Sequence, residues 1–175
     1  MLLRNKSKLP QIIDLPSQII PATIYPGMIF DRNVVTGPID VESFEEFDPT
    51  QFTNASIVGL HRKYALGDLI QLVPAVRKFK QYYNIGKIVI FTKEEFVSIL
   101  KFVYKDIIWR TEDSFYNDMT FNVIFNLDGV LEKDHSEINN ERLLHRVEIY
   151  LRTLGIYDPI QQSDIDFSIT DLVAS

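Results

Sequence analysis

The sequence predicts an α/β fold: a Rossmann-like parallel sheet flanked by helices over residues 55–155, with a proline-rich extended N-terminal arm before it. Three observations carry that expectation. After Ala55, short apolar runs alternate with stretches of helical period. Six of the eight prolines fall before residue 55. Between Ala55 and Tyr83 a strand-like run leads through a polar loop into a helix opening at a Gly-Asp pair.

The arm, residues 1–54, holds Pro10, Pro16, Pro21, Pro26, Pro38 and Pro49. Proline at this density forbids long helices and central strands. Ile19-Ile20, Ile24-Tyr25, Met28-Ile29-Phe30 and Val34-Val35 remain as short apolar pieces, with turns at Pro26-Gly27 and Gly37-Pro38. The reading is one or two short strands or a hairpin, then an acidic stretch from Asp40 to Asp48 with a helical turn before Pro49. Such an arm either packs on its own domain or docks another chain.

Ala55 to Leu60 suits a buried parallel strand, and His61 to Leu66 a loop. From Gly67 to Tyr83, Leu69, Leu72, Val73, Val76, Phe79 and Tyr83 share one helical face, and Asn84 and Gly86 stop the helix. Pro74 lies inside this stretch: either the helix kinks there, or its regular part begins near it. Lys87 to Phe91 is the second strand. Thr92 with Glu95 matches a capping box for a helix running to Phe102 or Tyr104. Ile107-Ile108-Trp109 is a short third strand, Thr111 to Thr120 a loop, and Phe121 to Leu127 a fourth strand ending at Asp128-Gly129. A charged loop over 130–138 leads to a helix capped by Asn139 or Asn140 and closed by Gly155 at its C′ position. Residues 156–175 are an acidic tail, in which Ile165, Phe167 and Ile169 alternate as an edge strand would.

The net charge is −6, which argues against general nucleic-acid binding. The charge is unevenly spread: residues 55–100 carry seven basic and three acidic side chains, whereas each other segment is acidic on balance. That one positive segment suits an anionic small molecule or, equally, an ordinary solvated face. There is no cysteine, which excludes disulfides and thiolate-ligated metals. The N-terminus lacks the apolar run of a signal peptide, and no stretch reaches the length of a membrane span. The expectation is a cytoplasmic protein with no transmembrane segment.

The informative stretch runs from His61 to Arg77. It lies where a parallel α/β sheet binds ligands, at the C-terminal end of a strand. Gly67 permits tight backbone geometry. Asp68 falls in the first helical turn, facing open solvent, where the dipole favours a negative side chain; such a carboxylate accepts a proton from a hydroxyl, orients it, balances a cationic partner, or simply caps the helix. Arg62 and Lys63 are placed to meet a phosphate or an acidic acceptor. Asp128-Gly129 and Asp134-His135 are placed to enter the same cleft, or to form turns. His61, His135 and His145 have no metal-ligand spacing, and His145 sits among Glu141 and Glu148 as a surface ion-pairing residue would. Gly59 and Gly67 are too far apart for a dinucleotide fingerprint, and no phosphate loop or serine elbow is present. Tyr82, Tyr83 and the phenylalanines read as core or helix surface.

Ala65-Leu66-Gly67-Asp68-Leu69-Ile70, followed by Leu72-Val73-Pro74-Ala75-Val76-Arg77, is similar to the opening helix of family-nine glycosyltransferases, the heptosyltransferases and their relatives. Phe121 to Gly129 and Tyr150 to Ile156 resemble later blocks of the same family's acceptor-side domain. The resemblance covers about 100 residues. It implies one half of a GT-B fold that transfers a sugar from a nucleotide sugar to a saccharide acceptor, inverting and without a metal. It makes Asp68 the catalytic base, and Tyr64, Ala65, Leu66 and Gly67 the lining of the acceptor side. It implies no cofactor beyond the nucleotide-sugar donor, and a second domain or protein chain to hold most of that donor. The alternative is a non-catalytic relative that assembles with a partner through its N-terminal arm.

Overall fold

The computed structural model describes residues 1–15, 21–117, 123–131, 145–165 and 167. Nine strands and three helices suffice to place the site. The strands are β1 (Leu2–Asn5), β2 (Gln11–Ile13), β3 (Ala22–Ile24), β4 (Met28–Asp31), β5 (Phe44–Glu46), β6 (Ile57–His61), β7 (Lys87–Thr92), β8 (Ile108–Thr111) and β9 (Val123–Asn126). The helices are α1 (Leu66–Tyr82), α2 (Glu94–Val103) and α3 (Arg146–Thr153).

Seven strands form one sheet in the order β5-β1-β4-β9-β6-β7-β8, and β2 and β3 form a separate antiparallel pair. The five strands from β4 to β8 run parallel, and β1 pairs antiparallel with both β4 and β5. This is the mostly parallel α/β sheet that the alternation of patterns predicts. β6 and β7 are apolar along nearly their whole length because each has a strand on both sides and covered faces. Gly59 lets β6 fit: a Cβ there would lie 3.1 Å from Ile124 and 3.3 Å from Phe91.

Residues 1–54 are more than an arm. β1, β4 and β5 belong to the main sheet, with β4 directly beside β9. The prolines did not prevent this because none lies within residues 27–37, so Met28-Ile29-Phe30 is free to pair. The same segment supplies Phe47 and Phe52 to an aromatic cluster. Phe52 meets Phe79 of α1 edge-on at 5.8 Å, and Phe79 and Phe47 both meet Phe125 of β9 edge-on at about 6 Å. The N-terminal residues thus cover the sheet from the same core as α1. The acidic stretch forms its helical turn before Pro49 as expected, over Val41–Ser43 and capped by Asp40, and a second turn follows with Pro49 as its first residue, capped by Asp48.

α1 is helical from Leu66 straight through Pro74, so its first turns are regular. Pro74 is buried with Leu69, Leu72, Val73, Ala75, Val76 and Phe79, close to the face its periodicity predicts. The helix ends at Tyr82 with Tyr83 as its C-cap, and Asn84 follows with a left-handed φ of 51°. The Thr92 capping box does not form. Thr92 is the last residue of β7, its hydroxyl donates to Lys63 O, and Lys93 stands at the N-cap of α2 without a side-chain cap. Strand pairing through Thr92 with Thr111 outcompetes the cap. The stretch after Thr111 is a 3-10 helix over Glu112–Asn117 in place of the expected loop.

Val130 and Leu131 are buried and helical, where a charged loop was expected; the rest of that loop, Asp134, His135 and the caps proposed at Asn139 and Asn140 lie outside the described residues. So do Phe121, Asn122 and Ile169 of the expected strands, and neither Ile165 nor Phe167 is in a strand. His145 caps α3, its Nδ1 accepting from Val147 N at 3.2 Å, and Glu148 pairs with Arg152 in place of His145. Gly155 sits at C′ with φ 87°, and Ile156 N donates to Leu151 O while Gly155 N donates to Arg152 O. These are the two bonds of a Schellman stop.

Candidate functional site

From β6 the chain steps outward to β7 and β8, then returns to place β9 on the other side of β6. The C-terminal ends of β6 and β9 therefore meet where the strand order reverses, which is where open α/β sheets hold ligands. His61 to Gly67 leave β6 there, and Asn126 to Gly129 leave β9. Leu127 N donates to His61 O at 2.8 Å and stitches the two exits together.

The loop from β6 into α1 is set by Ala65. It is the N-cap, exposed, with φ 67° and ψ 106°. That conformation is strained for any residue with a Cβ. Gly67 was expected to provide the unusual geometry. It lies instead within the helix, and among the described residues nothing outside its own turn of chain stands within 4 Å of where its Cβ would be. Ala65 makes no side-chain cap at the start of α1.

Asp68 stands in the first turn of α1, as expected, but it does not face open solvent. Its Oδ2 accepts from Arg62 Nη2 at 2.8 Å and its Oδ1 from Arg146 Nη1 at 2.5 Å, and the side chain is 13% exposed. The two arginines differ. Arg62 is 1% exposed and also donates to Leu127 O at 3.0 Å. It is a structural cation buried between β9 and α1, not the loop cation expected to meet a phosphate. Arg146, at the start of α3, is 44% exposed. Tyr150 of α3 donates its hydroxyl to Asp68 O, which fixes α3 over this turn.

Asp128 is buried and does not enter the cleft. Its Oδ1 accepts from Lys63 N at 2.9 Å, and its Oδ2 lies 3.4 Å from His61 Nδ1. His61 Nε2 lies 3.5 Å from Glu112 Oε2. Burial opposes the charge on His61, but hydrogen bonds to Asp128 and Glu112 and the Asp128 charge outweigh it, raising its pKa to about 9. Burial pushes the Asp128 carboxyl up, yet the bond to His61 and the Lys63 amide leave it below the ordinary value. Glu112 is lowered by its bond to His61, against a smaller opposing effect of burial. A protonated imidazole thus joins the ends of β6, β9 and β8.

At the rim, the Lys63 ammonium lies 3.6 Å from Glu112 and 5.3 Å from the centre of the exposed Tyr64 ring, and Lys93 lies 4.6 Å from the same centre. Leu66 is half-buried beneath the loop. Tyr64, Ala65, Leu66, Gly67 and Asp68 are therefore brought together, with Lys63 beside them, while Arg62 and Asp128 serve as supports below. Sequence reasoning passed over Glu112, Lys93 and Arg146, which reach the site from three other elements with no local motif. Among the described residues no group of histidines and carboxylates has the arrangement of a metal site.

No protein-family model matches this chain, and no curated protein does. A solved structure is similar to this chain. It is the iron-containing dodecameric glycosyltransferase TibC from enterotoxigenic E. coli H10407, with a TM-score of 0.44 and 9% identity over 86% of this chain and 42% of that one. This chain spans less than half the length of that protein. A likeness so distant leaves the chemistry to be argued from the site's own geometry. Among the described residues no helix is long and apolar enough to cross a membrane.

Proposed function

We propose that this chain is the acceptor-side half of a glycosyltransferase, moving a sugar from a nucleotide sugar to a saccharide hydroxyl. The observation that supports this reading is the placement of Asp68: a carboxylate in the first turn of α1, at the strand-order reversal, beside the space over Gly67 that is open among the described residues. Arg62 holds Oδ2 from below and fixes the carboxylate's orientation. Arg146, on the solvent side, is the partner an acceptor hydroxyl displaces from Oδ1. The hydroxyl oxygen then bonds to the anomeric carbon, its proton passes to Asp68, and the nucleoside diphosphate leaves. Tyr64 offers an apolar ring on which a sugar face stacks, and the first amides of α1 meet its hydroxyls. A second domain or chain supplies the remaining donor contacts, and the reaction uses no cofactor besides the donor. The assembly alternative draws less support, because the segment said to dock supplies three strands of the sheet.

The test is a panel of nucleotide sugars and oligosaccharides, with product read by mass spectrometry and acceptor binding by calorimetry. A Cβ at Gly67 meets no neighbouring side chain among the described residues, so Gly67→Leu, which projects into the space beside Asp68, should abolish acceptor binding while leaving the melting temperature unchanged or higher. Should the wild-type chain bind neither a saccharide nor a nucleotide sugar, the reading fails.

A further inference from the structure

The opposite edge of the sheet carries a second surface. In β6-α1-β7-α2-β8 the helices return the chain against the strands, so the last turns of α1 and α2 lie with the starts of β7 and β8, far from the candidate site. Residues 77–87 and 101–108 come together there. They hold six basic side chains and one acidic, on a chain with 24 acidic residues and 18 basic. The one acid, Asp106, is engaged by Arg77 through two bonds of 2.8 and 3.0 Å. Lys80, Lys87, Lys101 and Lys105 are all exposed, and none has a carboxylate within ion-pair distance among the described residues.

Apolar side chains stand among these cations. Phe102, on the last turn of α2, is 69% exposed, and Ile108, opening β8, is 37% exposed. Beside Ile108 lies an open cavity of about 290 Å³ lined by Lys80, Lys87, Ile88, Ile107 and the Arg77–Asp106 pair. A solvated charged face does not need exposed phenylalanine, and an apolar protein contact does not gather four exposed lysines that lack an ion-pair partner among the described residues. Exposed lysines on the same end of the sheet as an exposed aromatic ring match a layer that is anionic outside and apolar beneath.

We propose that this edge docks on an anionic lipid surface, with Phe102 and Ile108 entering the interface, the lysines meeting lipid phosphates, and the cavity receiving a headgroup. The sign of the whole chain sharpens the claim. A protein of net charge −6 is repelled by an anionic bilayer on average, so binding requires this segregated patch and weakens as salt screens it. Simple net-charge behaviour gives the opposite salt response.

The experiment is co-sedimentation of the full chain with phosphatidylcholine vesicles and with vesicles containing roughly one third phosphatidylglycerol. Binding should appear only on the anionic vesicles and fall with added salt. The Lys101→Gln/Lys105→Gln double variant should bind roughly 25-fold more weakly, about fivefold for each lysine. Phe102→Ala should weaken binding at low and high salt alike. Glycerol phosphate in solution should not compete, since the free anion lacks the apolar half of the contact. No binding, equal binding to neutral vesicles, full competition by glycerol phosphate, or an undiminished double variant each overturns the proposal. So does a self-associating wild type that Phe102→Glu makes monomeric without affecting vesicles. If the variants do not fold, the salt response of the wild type decides alone.

Discussion

Raising the pH until His61 loses its proton should destabilise the fold. The imidazole sits between Asp128 on one nitrogen and Glu112 on the other, and this pairing lifts its pKa from 6.5 to about 9 despite the burial that opposes it. The folded state therefore binds this proton more tightly than the unfolded chain does. Its contribution is complete below a pH of about 6.5 and is lost as pH rises through about 9. A difference of roughly 2.5 units corresponds to about 3 kcal/mol. Asp128 is lowered by the same contact, so the two shifts describe one interaction and are not added. The carboxylate side has the opposite sign: with Asp128 and Glu112 lowered, their stability is present at neutral pH and lost as acid protonates them. Urea unfolding at intervals from about pH 6 to about pH 10 should show the decline, and His61→Gln should flatten it. The His61 ring protons, followed by NMR, should titrate near 9. A midpoint near 6.5, or a decline that survives in His61→Gln, would refute the argument.

Other positions give sharper structural tests. Ala65→Gly should raise stability by about 1 kcal/mol in thermal melts, because glycine adopts φ 67° without the steric cost alanine bears there. Gly155→Ala should cost roughly 2 kcal/mol or more: its φ of 87° is unfavourable for alanine, and the new Cβ would stand 2.7 Å from Pro49. Phe52→Ala should cost about 3–5 kcal/mol in denaturant unfolding, since the ring contacts Phe47, Phe79, Tyr83 and Phe125 together.

What the sequence reveals depends on how local the cause is. The helical face of α1 and the stop at Gly155 follow from spacing and from one glycine, so both are readable along the chain. The parallel core is readable because strands covered on both sides become continuous apolar runs. The place of β4 beside β9 is not readable, because nothing in Met28-Ile29-Phe30 names a partner almost a hundred residues away. Thr92 shows a local rule losing to a tertiary one: its capping pattern is sound, but β7 and β8 pair through it. The site divides the same way. Asp68 and its loop are contiguous and stand out. Arg146, Glu112 and Lys93 arrive from other elements, and only the fold brings them together. Arg62 and Lys63 look equivalent in the sequence, yet strand geometry sends Arg62 into the interior and Lys63 to the rim.

The two arginines on Asp68 decide how the proposed chemistry must be tested. Asp68→Asn removes the counter-charge of a buried Arg62, which on general grounds costs about 3–5 kcal/mol. Lost turnover in that variant would therefore confuse a missing base with a loosened fold. Arg146 separates the two. It is nearly half exposed, so breaking its pair with Asp68 should cost no more than about 1 kcal/mol. Arg146→Gln should keep the fold, free Oδ1, and preserve or strengthen acceptor binding measured by calorimetry. If Arg146→Gln instead unfolds the chain as Asp68→Asn is expected to, the cluster is a structural bracket between α1 and α3, and Asp68 is not a base waiting for a hydroxyl.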